Sequence, residues 1–304
     1  MRRIGGTGLA VAPIGLDGGV FGWVSGSKEA AAMLDAFVGA GGGLVYTADH
    51  FAGGRSEVMI GSWLRSQRDT SGVVVATTIG QHADARGLSP RMVARATEAS
   101  LRRLGTDRID ILTLDGHDSS VPIDDTLEAV DLLVRAGKVG HVAVLGHTAA
   151  RVRAMQGRSA EARYPHVMGV FEEYSLMARG VFEREFAPFV EQTGTAFFAL
   201  RPLAHRFLTG GVSGRADVAD SPLWGRALDH VGRKGSRVLD RLAQVAQQLG
   251  ASRARVAAAW AISKPGVTAA IVAARSTEEL LDVLEARGLA LTRQQMASLD
   301  DVSS

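Results

Sequence analysis

Apolar residues along this chain gather in short continuous runs, and the stretches between the runs repeat them every three or four positions. Compact runs stand at Ala12–Leu16, Leu44–Thr47, Val73–Thr77, Ile109–Leu114, His141–Leu145, Val167–Phe171, Ala196–Leu200 and Ala269–Val272. Each is short and bounded by polar or glycine positions, the pattern of a strand buried on both faces. Helical patterns fall between them. Lys28–Val38 carries Ala31, Leu34, Ala36 and Val38 at helical spacing, and Ser56-Glu57-Val58-Met59 opens a second helix with Ser56 as its N-cap. Arg91–Leu104 follows Pro90 at the first helical position and stops before Gly105. Asp124–Arg135 ends the same way at Ala136-Gly137, and Ser252–Ser263, Glu278–Glu285 and Leu291–Leu299 (after Thr292) complete the series.

Eight strand–helix units in succession predict a closed (β/α)8 barrel of the TIM type, not an open sheet. A short hairpin around Gly5-Gly6-Thr7-Gly8 precedes it and a helix follows it. With 304 residues, 46% of them hydrophobic, the chain is long enough for one large core, and a single domain over 1–304 is expected. The longest irregular stretch, Thr209–Lys234, is Gly-rich and polar.

Composition narrows the function classes. The net charge is +2, and no stretch concentrates basic residues beside aromatics, which argues against nucleic acid. Arg102-Arg103 and Arg151-Val152-Arg153 read as solvated helix faces. Cysteine is absent, which removes disulfides, thiolate nucleophiles and Cys-metal sites. No apolar run approaches the ~18 residues of a spanning helix, and the opening Met1-Arg2-Arg3-Ile4 lacks a signal-like core. A cytoplasmic protein with no membrane partner, acting on a small molecule as a monomer or small homo-oligomer, is the expectation. Lysine occurs only at Lys28, Lys138, Lys234 and Lys264, a coding bias that suggests a GC-rich bacterial genome.

Several segments together carry a family resemblance. They are Gly8–Leu16, Ser100-Leu101-Arg102-Arg103-Leu104-Gly105-Thr106-Asp107-Arg108-Ile109-Asp110, Leu133–Val139, Glu173-Tyr174-Ser175-Leu176 and Ala274-Arg275-Ser276-Thr277-Glu278-Glu279-Leu280. From end to end the chain resembles the aldo-keto reductases, which reduce carbonyls with NADPH. The resemblance implies a barrel whose catalytic Tyr donates a proton, aided by Lys and His, while an Asp pairs with the Lys. All four positions differ here. In Val45-Tyr46-Thr47-Ala48-Asp49-His50-Phe51 the family has I-D-T-A-D-x-Y, so Tyr46 replaces the Asp and Phe51 the Tyr. Thr78 replaces the Lys of A-T-K-x-G, and Asp115 replaces the His of Q-L-H. A phenol is a useful acid near neutrality only beside a cation. Phe51 has no proton to give and Thr78 has no charge.

The implied cofactor site is eroded unevenly. Leu145-Gly146 stands where the family grips the carboxamide with Ser-Asn, Phe171 replaces a Gln, and Leu200 replaces the aromatic that stacks on nicotinamide. Three lost hydrogen-bonding groups at roughly 1 kcal/mol each weaken binding about a hundredfold. The other end keeps Arg275, which matches the residue that contacts the 2′-phosphate, and a helix N-terminus capped by Ser276 and Glu279. Glu279 and Val283 stand where Gln and Asn meet the adenine. The expectation is a chain that requires no cofactor, with weak residual NADP binding through Arg275, Ser276 and Glu279.

Active sites of such barrels form at the carboxyl ends of the strands. Unusual residues predicted there are Asp17, Tyr46, His50, Asp115, His117, His147, Glu172 and Arg201. Asp115 reads either as a general acid or base, or anchor for a cationic group, or as a solvated remnant of an unused site. Asp17 pairs with Arg201 as a structural bridge or acts catalytically. Tyr46 is a new proton donor or a core side chain filling the place of the Lys. Glu172 is catalytic or a solvated loop acid. The loop histidines lack metal-ligand spacing, and no metal is expected. Asp49, Asp118 and Glu173 match residues common in the family and read as scaffolding.

Three functions compete. The first is non-redox acid–base chemistry on a reductase scaffold, as a lyase, dehydratase, isomerase or cyclase in a biosynthetic pathway. The second is an unusual NADP(H) oxidoreductase in which Arg201 or Tyr46 stabilises the alkoxide. The third is a non-catalytic binder of a ligand or partner.

Overall fold

The computed structural model describes residues 1–116, 120–218 and 222–304. A two-stranded antiparallel hairpin, β1 (Arg2–Arg3) and β2 (Ala10–Val11), leads into eight parallel strands. These are β3 (Ile14–Asp17), β4 (Leu44–Ala48), β5 (Val74–Ile79), β6 (Ile109–Asp115), β7 (Val139–Leu145), β8 (Val167–Glu173), β9 (Ala196–Leu200) and β10 (Val267–Val272). They pair in sequence order, and β10 closes on β3 through Ala270↔Ile14 and Val272↔Leu16. The predicted barrel is present, with every predicted strand inside an observed one or shifted by one or two residues.

The helices are α1 (Ser27–Gly39), α2 (Arg55–Ser66), α3 (Pro90–Leu104), α4 (Ile123–Arg135), α5 (Ala149–Ala162), α6 (Ala187–Thr193), α7 (Arg233–Leu249), α8 (Arg253–Ser263), α9 (Thr277–Leu284) and α10 (Arg293–Ser303). α3 begins at Pro90, whose missing N–H costs nothing there, and ends at Gly105 with φ +65, a left-handed position. α10 starts with the capping box of Thr292 and Gln295. Ser56 is not the cap of α2. That place belongs to Gly54 at φ +87, while the buried Ser56 hydroxyl donates to Gly18 O at 2.8 Å and meets Thr47 Oγ1 at 2.8 Å. The sequence reading leaves out α5, α6 and α7: α5 has a weak apolar stripe and α6 is entered through a π turn at Phe182–Phe186, but α7 carries Val238, Leu242, Val245 and Ala246 at helical spacing inside a segment read as irregular up to Lys234.

Two apolar layers result. One lies between the strands and the helices; the other fills the barrel, with Tyr46, Ile111, Met168, Phe171, Phe198 and Leu200 among its members. Ile4 and Val11 of the hairpin join this inner layer and close its amino-terminal end. Arg2 pins the hairpin there, donating to Val267 O at 2.6 Å and Ile262 O at 2.7 Å. The opposite end is therefore the open one.

Arg103 departs from the solvated reading. Its Nε donates at 2.6 Å to Glu57 Oε2, and Glu57, fully buried, also accepts from Thr77 Oγ1 at 2.6 Å. This ion pair ties α2, α3 and β5 together just below the mouth.

Candidate active site at the barrel mouth

The positions that differ most from the resemblance converge inside the barrel. Strand register brings Tyr46 beside Asp17 and Ala48 beside Thr78. The Thr78 hydroxyl donates to the Tyr46 hydroxyl at 3.0 Å, with both side chains buried. A neutral pair thus occupies the place where the resemblance implies an Asp–Lys ion pair. The Tyr46 ring stacks on Phe171 at 5.0 Å, and Phe171 stacks on Phe198 at 4.4 Å. Phe51 meets Tyr46 edge-on at 6.1 Å. Burial pushes the Tyr46 phenol well above its ordinary range, despite the hydrogen bond from Thr78. It is a core side chain that points inward and holds its proton tightly.

Above this plug stand the acids. Asp17 ends β3, where its carboxylate accepts from Gly19 N at 2.8 Å and caps the turn at Gly18–Val20. Among the described residues no ion pair joins Asp17 to Arg201, so the bridge, one of the two alternatives for Asp17, is absent, although Arg201 acts on Asp17 through its field. Asp115 ends β6, and its Oδ1 lies 3.5 Å from where a Cβ on Gly146 would stand. Glu172, on β8, accepts from Glu173 N at 2.9 Å.

All three carboxyls are held above the usual carboxylate range, in each case mainly by burial. The hydrogen bond from Gly19 and the charge of Arg201 oppose this at Asp17. At Asp115, His50 and Arg201 oppose it and Asp49 adds to it. At Glu172 the Glu173 hydrogen bond and Arg201 oppose it, while the charges of Glu173 and Asp115 reinforce it. One guanidinium therefore acts on three reluctant carboxylates.

Arg201 follows β9 with φ +53, and Ala204, His205 and Arg206 are left-handed as well. Such a run of non-glycine residues costs energy at each position and persists only where the surroundings enforce it. The run walls a cavity of about 220 Å³ whose lining includes Asp17, Phe51, Arg201, Arg206, Trp224 and Arg226. Trp224 and Arg226 come from the long irregular segment, Thr209–Lys234, that stood out in the sequence. Arg206 lies over the Trp224 ring at 5.2 Å, and Arg226 reaches Glu173 at 3.5 Å. The lining has three arginines against one aspartate, so the cavity favours anionic groups.

His50 sits at the rim, its Nδ1 3.2 Å from Asp49 Oδ1. His147 is buried at the end of β7, with Nδ1 2.9 Å from Leu145 O. His117 and Asp118 lie outside the described residues. At the far edge, Ser276 caps α9 by accepting from Glu279 N at 3.2 Å. Arg275 donates from Nε and Nη2 to Glu279 Oε1 at 3.0 and 2.5 Å. Sequence reasoning missed Arg206 and Arg226; an arginine close to an aromatic in or beside a long irregular segment was the available signal.

The profile of the Aldo/keto reductase family matches residues 14–304. The chain belongs to that family. Its relatives include an uncharacterized oxidoreductase of Bacillus subtilis, 28% identical over 98% of this chain and 94% of that protein. An aldo-keto reductase of Alternaria alternata is also 28% identical, over 99% of this chain and 90% of that relative. A probable voltage-gated potassium channel subunit beta of Arabidopsis thaliana is 30% identical over 94% and 90%.

Membership corrects the expectation that no cofactor is required. The family consists of NADP(H)-dependent oxidoreductases, and relatives named as reductases match nearly the whole chain. The geometry fits such a dinucleotide at its anionic end, where Arg275 lies beside the N-terminus of α9 and the charge of Arg206 also acts. At the other end Phe171 is locked in a stack of rings and Leu200 is buried in the barrel, so neither offers a polar contact.

Proposed function

We propose that this aldo-keto reductase family member binds NADP(H) and uses carboxyl groups, in place of the family's phenol, to move protons to and from a small carbonyl or hydroxyl compound. One observation carries the reading: three carboxyls at strand ends are held above the usual range by burial, and the charge of Arg201 acts on all of them. When bound, the dinucleotide supplies hydride to a carbonyl carbon. The chain's own groups manage the charge that results. Arg201 steadies the developing oxyanion, and Asp115 gives that oxygen its proton, since burial shifts its carboxyl in favour of the protonated form that a general acid needs. Asp17 and Glu172 share the local proton supply. Arg206 and Arg275 hold phosphate, and Trp224 covers the site. Tyr46 and Thr78 take no part in the chemistry.

Titrating the protein with NADPH while following tryptophan fluorescence tests the first half, since Trp224 lines the cavity. The second half is tested by turnover of a carbonyl panel, followed as NADPH oxidation, in Asp115→Asn and Asp17→Asn. Loss of one proton donor lowers the rate about 10²–10⁴-fold. Full activity in both variants refutes the roles given to them. A second reading is favoured by the replacement of the family's phenol and lysine by Phe51 and Thr78. Here the same carboxyls run an elimination, isomerisation or cyclisation with no net oxidation. Product formed without matching NADPH consumption selects it.

A further inference from the structure

The Arg275–Glu279 pair bears on which dinucleotide this chain accepts, a role that rests on the proposed binding of NADP(H). Both oxygens of Glu279 are used: Oε1 takes the side edge of the Arg275 guanidinium, and Oε2 accepts from Arg275 N at 2.9 Å. The Glu279 backbone is held in turn by Ser276. A side-on guanidinium edge with a main-chain N–H beside a helix N-terminus is the donor set that a phosphate monoester takes. Here a side chain of the same protein already fills it.

We infer that Glu279 acts as a built-in anion on Arg275 and is a specificity-determining residue, suppressing preference for 2′-phosphorylated over unphosphorylated adenosine ligands. The pair is about two-fifths exposed on both sides, 40% and 41%, so an incoming ligand can reach it. Burial works to raise the Glu279 pKa, but the hydrogen bonds and charge of Arg275, joined by the charge of Arg206, outweigh it and hold the carboxyl below its usual range. Glu279 is therefore ionised at neutral pH and cancels one of the two nearby cations. A 2′-phosphate must displace it and tolerate its charge. A ribose 2′-hydroxyl can instead donate to it, the role an acidic side chain plays in NAD sites. The two determinants that ordinarily favour one nucleotide each are here bonded to one another.

Calorimetric titration of the full-length protein with adenosine 2′,5′-bisphosphate and with 5′-AMP tests this independently of the altered nicotinamide end. The wild type should favour the bisphosphate by less than about tenfold. Glu279→Gln should tighten the bisphosphate about tenfold through relief of like-charge repulsion, and leave 5′-AMP within about twofold. Arg275→Ala should abolish the preference. Raising salt should weaken bisphosphate binding more in Glu279→Gln than in the wild type. Measurable binding that Glu279→Gln leaves unchanged or weakens overturns the role of Glu279 alone. No binding of either nucleotide or of NADPH, in wild type and variant alike, overturns it together with the cofactor reading.

Discussion

Tyr46 and Thr78 offer the most direct test of the claim that a charge pair has become a neutral structural one. Their hydroxyls are 3.0 Å apart, and the residues are 2% and 0% exposed. Tyr46→Phe keeps the ring on Phe171 and removes only the oxygen, while Thr78→Val removes the other partner with little change of volume. Each single variant leaves a buried hydroxyl without its partner and should cost about 1–3 kcal/mol. The double variant removes both groups and should cost less than the sum, giving a coupling of about 1 kcal/mol. At ~2.1 cal/mol/K per residue over this 304-residue chain, 1 kcal/mol moves Tm by about 1.6 °C. Urea unfolding of the four proteins measures the cycle, and thermal melts check it.

The pH dependence adds a second readout. Burial raises the Tyr46 pKa above its ordinary value, so the phenol stays neutral in both folded and unfolded chains below about pH 9. The coupling should then be flat from pH 5 to 9, whereas an ion pair would lose strength as its carboxylate protonates. A coupling near zero, a slope across that window, or a turnover loss beyond about a hundredfold in Tyr46→Phe each refutes the reasoning.

Other outcomes are expected from the same geometry. Asp115→Asn should stabilise the protein while lowering turnover. The folded pKa is raised by burial, so ionisation costs stability progressively above the unfolded pKa of about 3.9, by about 1.4 kcal/mol per unit of separation. Denaturant midpoints should therefore match wild type near pH 3 and exceed it at pH 8; a lower midpoint at pH 8 counts against a strained site acid. Glu57→Gln leaves the mostly buried Arg103 without its carboxylate and should cost about 3 kcal/mol, seen as a Tm lowered by about 5 °C. Phe198→Ala opens the inner ring stack and should cost about 3–5 kcal/mol in urea unfolding. A cost below 1 kcal/mol would show that the barrel plug is loosely packed.

Much of the fold was legible because the signal is local. Strands such as Ile109–Asp115 and Val167–Glu173 announce themselves as apolar runs, and α3 and α10 carry their own start and stop residues. α6 is hidden because a π turn interrupts its period, whereas the stripe of Val238, Leu242, Val245 and Ala246 made α7 as legible as α3. Asp17, Asp115 and Arg201 were legible as unusual residues at strand ends. Arg103 was misread, since its partner Glu57 lies 46 positions away.

By itself the sequence determined the barrel and its family, since both depend on residue type at a position. It could not determine charge states or partners. Burial, set by how eight strands close, raised three carboxyls around Arg201 and sealed Tyr46 against Thr78. Helix geometry laid Glu279 on Arg275, and the covering segment brought Trp224 and Arg226 to the mouth. Apart from the Glu279–Arg275 contact, which spans only four positions, those are sums over residues distant in the chain, and only the folded arrangement fixes them.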